Sequence, residues 1–372
     1  MDTLNSFEIY ESGFLPQFIP LNNLPSYFLP WENIIGSISE LNKTKSTRAI
    51  INNLELLDHT KLGNMAEYQR AYLILTLLTN SYVWCEGPSN ASKVLPRSIA
   101  VPLWHVSQKI GISPILTHAA VDLYNFKLKD PNGPIELDNM ESQHTMTGTA
   151  DESWFFLIMT AIESKGGVIL RKIIEIQQSI ILKDINHVKQ DLTVIQWVLF
   201  EMGELILRMR EKCKPEVFYN VIRPYLSGWE NNDNLPNGLI YEGVSEQPKK
   251  YAGGSAAQSS LLSSIDTAFG IIHADPYFQK IKNSMPLKHR QFIEYVKENI
   301  NISGFIDENK DEIDLKNSFN LCIREITMFR KLHWGLVHDY IISFINNGKG
   351  TGGTDLKTFL KVTLDETKQS NK

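Results

Sequence analysis

Chemistry in this chain is posed most sharply by His333. Leu315, Phe319, Cys322, Ile326, Phe329, His333, Leu336, Tyr340 and Phe344 recur at steps of three and four, which sets them along one side of a helix. His333 is the one imidazole in that apolar and aromatic stripe. A buried imidazole needs partners for its ring nitrogens, because burying them unpaired costs free energy. A neighbouring carbonyl or hydroxyl would make it a core histidine. A metal would make it a ligand, and a lone helical His in an apolar wall is one way to hold a haem iron from its proximal side. The stretch alone leaves both open. Arg330, one turn earlier, supports the second if it reaches a haem propionate and is otherwise a solvated cation. His338 shares another face with Lys331 and Trp334 and is the poorer placement for a ligand.

A second constellation is Arg223 beside Phe218, Tyr219 and Ile222 on one helical side. A guanidinium on an aromatic face needs a carboxylate, supplied bidentately by a ligand or internally by an Asp or Glu. Spacing does not choose between them. Gly350-Thr351-Gly352-Gly353-Thr354-Asp355 lacks the Lys-Ser/Thr of a phosphate loop and follows no strand pattern. It reads as a flap over a site or as a plain linker. The nine histidines form no HExxH pair and no GxSxG occurs, which argues against zinc hydrolysis and serine-nucleophile chemistry.

The rest of the chain must position these groups. A composition 42% hydrophobic and 21% charged is that of a globular protein, and 372 residues bury one large core or two unequal ones. A net charge of -5 with no basic block argues against nucleic acid or an anionic membrane as the main partner. Cys85, Cys213 and Cys322 lie far apart without CxxC spacing, as free thiols of a reducing compartment do. The N-terminus lacks the basic and apolar regions of a signal peptide. No apolar run is read as long enough to span a bilayer, so the cytoplasm is the expected location.

Prolines crowd the stretch from Phe7 to Trp31, which predicts an ordered strap, not a long helix. Helices are predicted over Met65 to Trp84, Pro102 to Ile110, His187 to Cys213, Pro215 to Leu226, Ala256 to Ile271 and Pro286 to Ile300. Asp151 to Ile181 reads as one helix or a pair, with a bend at Gly166-Gly167. Pro114 to Phe126, carrying His118, Asp122 and Tyr124, is compatible with helix. Ser227 to Gly254 is a long connection of the kind that carries function, and Thr354 to Thr363 a last short helix. No alternating strand pattern stands out. The expected architecture is all-α: a smaller, mostly helical N-terminal domain over 1–145, and a large helical bundle domain over 146–372.

With these residues in view, the chain resembles the indoleamine 2,3-dioxygenase family over nearly its whole length. The resemblance rests on Lys93 to Pro102 (KVLPRSIAVP), Trp154 to Leu157 (WFFL), Val221 to Trp229 (VIRPYLSGW), Ala252 to Ser260 (AGGSAAQSS) and Gly350 to Asp355 (GTGGTD), in that order. It implies a haem b dioxygenase that opens the indole ring of tryptophan with O2 to give N-formylkynurenine, acting as a monomer on a small indole substrate. It implies His333 as the proximal iron ligand, with Asp266 and Arg330 as a pair beside the haem. Phe155 and Phe218 would wall the distal pocket, Arg223 would bind the substrate carboxylate, and Gly254, Ser255 and Ala256 would approach haem and substrate. Thr351 would belong to a closing loop, and no protein acid or base is required.

Four positions depart from the family pattern, one of them Val121, which replaces a Cys. Met159, or Thr160 after a one-residue slip, stands where a distal Ser or His is usual, and a thioether donates no hydrogen bond. His118 replaces a pocket Tyr, and Tyr219 replaces a second Phe; both are expected to meet substrate. Two rival expectations follow. One is a haem enzyme oxygenating a different indole derivative, favoured by His118 and Tyr219. The other is a non-catalytic haem sensor or carrier in which Met159 sits over the iron.

Overall fold

The computed structural model describes residues 2–344 and 356–372, and its architecture is all-α. The His333 stripe is realised up to Tyr340 as one helix, Ile313–Tyr340, and its last member, Phe344, lies beyond it in a 3-10 turn, Ile342–Phe344. Its Leu315, Phe319, Cys322, Ile326 and Phe329 are buried, because that side packs against the helix Ile185–Leu207. The Cys322 thiol is caught in this seam and donates to the Leu192 carbonyl at 3.1 Å. Met65–Trp84 is a helix at the predicted bounds; the Asn64 side chain caps it by accepting from the Glu67 N–H, an orphan donor of the first turn.

The segment read as one helix or two is a single helix, Ala150–Ile181. Gly166 and Gly167 do not break it. They are contact points: a Cβ on Gly166 would run into Leu261, and one on Gly167 into the backbone of Gly13 in the N-terminal strap. This helix is also apolar and long enough to cross a bilayer by length and composition, contrary to the reading of the sequence. It serves instead as a core helix, with 72% of its most apolar window buried. Thr149 caps its start. The buried Glu152 carboxylate holds the preceding turn by accepting from the N–H groups of Met146 at 2.9 Å and Thr147 at 2.7 Å.

Short strands, which the sequence did not announce, fasten the connections. Val94–Leu95 pairs in parallel with Leu239–Tyr241, which pairs antiparallel with Ser245–Lys249, so the long 227–254 connection is partly sheet. Phe126–Leu128 and Met140–Ser142 form a hairpin around the Asp130–Gly133 turn. The 114–126 segment holds only a π-helical turn, Ala119–Leu123. Ser255 caps a short 3-10 turn, and Ser259 then caps the helix Ser260–Ala268. The C-terminal helix, Leu356–Gln369, runs beyond the predicted end at Thr363. One hydrophobic cluster extends from Leu4 to Tyr340 without interruption at residue 145.

Candidate active site

An apolar cavity with an empty volume of about 1220 Å³, counting its open mouth, lies between the His333 helix, the Ala150–Ile181 helix and the 116–122 segment. A second hollow of about 890 Å³ shares Met159, Ala256, Ala257 and His333 with it and is bounded by Asp266 and Arg330.

His333 is half-buried and faces both hollows. Burial, followed by the Arg330 charge, holds its pKa down at about 4. The imidazole is therefore neutral near pH 7 and carries a free lone pair. Among the described residues nothing hydrogen-bonds to its ring, so the core-histidine alternative finds no partner there. Nor does any group of three or more His, Cys, Asp or Glu among them offer a metal site. A metal taken up at His333 must bring most of its ligands with it, and an iron carried in a flat macrocycle fits that demand.

Arg330, one turn from His333, places Nη2 2.6 Å from Asp266 Oδ2 and donates through Nη1 to the Thr367 hydroxyl. His273, which the sequence reading missed, bridges Asp266 at 3.0 Å and Glu366 at 2.7 Å. Burial alone would raise the Asp266 pKa, but Arg330 and His273 hold it below the ordinary carboxylate value. Burial alone would lower that of His273, and its two acids push it up instead.

Phe155 and Phe218 meet edge to face, ring centres 5.0 Å apart, and both line the cavity. Phe218 opens a π-helical turn, Phe218–Ile222, inside the predicted 215–226 helix. Pro224 lacks the N–H that would return to Asn220, and π turns recur at functional sites. Tyr219 points elsewhere. It stacks on Phe344 at 4.9 Å, and Arg223 lies 5.4 Å from its ring centre; neither residue is among those lining the cavity. Thr351 lies outside the described residues.

Gly254, Ser255 and Ala256 form part of the wall. They are held there because Gly228 and Gly253 touch backbone to backbone, where any Cβ would collide, and the Gly254 N–H bonds to the Leu226 carbonyl at 3.2 Å. Tyr277, also missed, adds its ring to this wall. Met159 faces both hollows, whereas the Thr160 hydroxyl donates to the Asp122 carbonyl at 2.7 Å, so the thioether is what the wall presents.

His118 also lines the cavity, but its nitrogens are taken. Nδ1 lies 2.6 Å from Asp122 Oδ2 and Nε2 lies 2.8 Å from Glu163 Oε1, and the Ser259 hydroxyl donates to the same Glu163 oxygen at 2.5 Å. Burial would lower the His118 pKa; the two acids overcome it and raise it to about 10, so His118 is a cation donating both N–H groups. The i, i+4 spacing of His118 and Asp122 was visible in the sequence. Glu163 and Ser259 gave no signal, being brought in from distant segments.

The family model for indoleamine 2,3-dioxygenase matches residues 3–349. Indoleamine 2,3-dioxygenase 1 of Rattus norvegicus is 33% identical over 372 residues, covering 94% of this chain and 91% of that protein. The indoleamine 2,3-dioxygenase of Saccharomyces cerevisiae is 32% identical, covering 95% and 90%. A protein named myoglobin from Haliotis madaka is 32% identical, covering 96% and 95%. The chain belongs to the indoleamine 2,3-dioxygenase family.

Proposed function

We propose that the chain is a haem b dioxygenase that opens the indole ring of L-tryptophan with O2 to give N-formylkynurenine. The observation that carries this reading is the neutral His333 imidazole, without a hydrogen-bond partner among the described residues, lining an apolar cavity together with Phe155 and Phe218. Bound haem supplies the O2 chemistry. His333 would hold it through one ring nitrogen, and the Arg330–Asp266 pair would supply charge beside it. Phe155 and Phe218 pack on the indole and exclude water. Arg223 pairs with the substrate carboxylate, and Gly254, Ser255 and Ala256 shape the wall beside it. Both oxygen atoms end in the product and no proton is lost or gained overall, so the residues need not include a general acid or base.

In this reading residues 1–145 form the smaller part that covers the distal side. Its Leu116, His118 and Asp122 line the same cavity as Phe155, Met159 and His333, which supports that arrangement. The protein acts as a monomer on a small molecule.

The test is direct. The protein is purified with haem, reduced and given L-tryptophan in air. A product absorbing in the near ultraviolet is expected; fully loaded, reduced protein that forms none refutes the reading. Met159 on the wall, together with a relative named myoglobin, favours a second reading, a haem-based O2 carrier. Reversible O2 binding without product in the same assay would select it.

A further inference from the structure

We propose that Asp122 Oδ1 accepts a hydrogen bond from the ring N–H of the aromatic substrate, an assignment that rests on the function proposed above and adds a specificity-determining residue to it. The cavity wall offers a substrate few polar groups. Its polar side chains are mostly spent on the protein. His118 donates to Asp122 Oδ2 and Glu163 Oε1. The Ser255 hydroxyl accepts from the Ala257 N–H at 3.3 Å, Tyr277 is hydrogen-bonded to Ser255, and the Tyr340 hydroxyl donates to the Cys213 carbonyl at 2.6 Å. Two polar positions remain. One is the His333 ring. The other is Asp122 Oδ1, buried and without a partner among the described residues.

A buried carboxylate oxygen without a donor is costly, and it asks for a ligand that brings one. His118 fixes which oxygen is left, because it engages Oδ2 and holds the carboxylate in place. Phe155 and Phe218 line the same cavity, which suits a flat apolar ring. A ring that is apolar except for a single N–H matches a wall whose described residues leave one buried side-chain oxygen, Oδ1, without a donor. Met159 has no acceptor of comparable strength to compete for it.

The test compares the binding of indole and benzothiophene, the same ring with sulfur in place of N–H, to the ferric haem-loaded protein by calorimetry, beside L-tryptophan and its benzothiophene analogue. Wild type should bind the N–H member of each pair roughly ten- to a hundred-fold more tightly. Asp122→Asn is nearly isosteric. Its carbonyl oxygen must face the His118 donor, which turns its NH2 toward the cavity, so the preference should vanish or reverse. Asp122→Val should bind both rings alike; if its circular dichroism shows a folding defect, Asp122→Asn carries the result. Equal binding of both rings by wild type, or a preference that survives in Asp122→Asn, overturns the assignment. Selection between the bare rings with no affinity for tryptophan would leave Asp122 as the acceptor and overturn the tryptophan reading instead.

Discussion

Arg330 places Nη2 2.6 Å from Asp266 Oδ2, and the same carboxylate lies 3.0 Å from His273 Nε2. Through Glu366 on the far side of His273, one acid therefore ties the His333 helix to the C-terminal helix. Removing it leaves a mostly buried cation unpaired. Asp266→Ala should lower stability by about 3 kcal/mol, the low end for a broken buried pair because Arg330 keeps some solvent contact. Urea denaturation measures it, and a loss near zero would show that the network is not structural.

Both His118 and His273 have raised pKa values in the fold. The sign follows. The stability they contribute is complete below the ordinary histidine value of about 6.5. It is lost as pH climbs through the raised values, at about 10 for His118. Asp266 works in the opposite direction, its contribution being lost as pH falls through its depressed value. The urea midpoint should fall on the alkaline side, and His118→Gln should flatten that limb. A limb of unchanged slope in the variant would place the alkaline loss in other groups.

Replacing His333 by Ala should abolish haem retention, since among the described residues no cluster offers an alternative metal site. The readout is the Soret band after gel filtration. An unaltered band would mean the iron is held elsewhere.

Arg223→Ala should raise KM for tryptophan roughly ten- to a hundred-fold, the value of a charge-assisted pair, with kcat less affected. An unchanged KM would leave Arg223 as the structural cation beside Tyr219.

Met159→Leu preserves volume and removes sulfur. Under the dioxygenase reading, turnover should stay within a few-fold and the ferrous spectrum should not change. Loss of a six-coordinate signature on this substitution would identify Met159 as an axial ligand and favour the carrier.

That His333 lines the cavity was legible in the sequence, because a helix stripe with one odd residue is a local pattern, and His333 broke it. The family segments around Phe155, Phe218 and Gly254 led to the wall for the same reason. Tyr219 and His118 were harder. Their types suggested substrate contact, but Phe344 and the Asp122–Glu163 pair engage them first. Glu163 approaches His118 from 45 positions away, and no periodicity encodes such a meeting. Strands of two or three residues, such as Val94–Leu95, are too short for alternation to register.

Phe155, Met159, Glu163 and Gly167 succeed one another at four-residue steps along one rod, Ala150–Ile181. The first two line the cavity, the third grips His118, and the last abuts Gly13. Eight residues of helix span only about 12 Å, and a helix does not bend cheaply. Crowding the buried strap at Gly13 would therefore be transmitted as a shift of the whole rod, and ligand affinity would register a change made about two helical turns from the cavity wall.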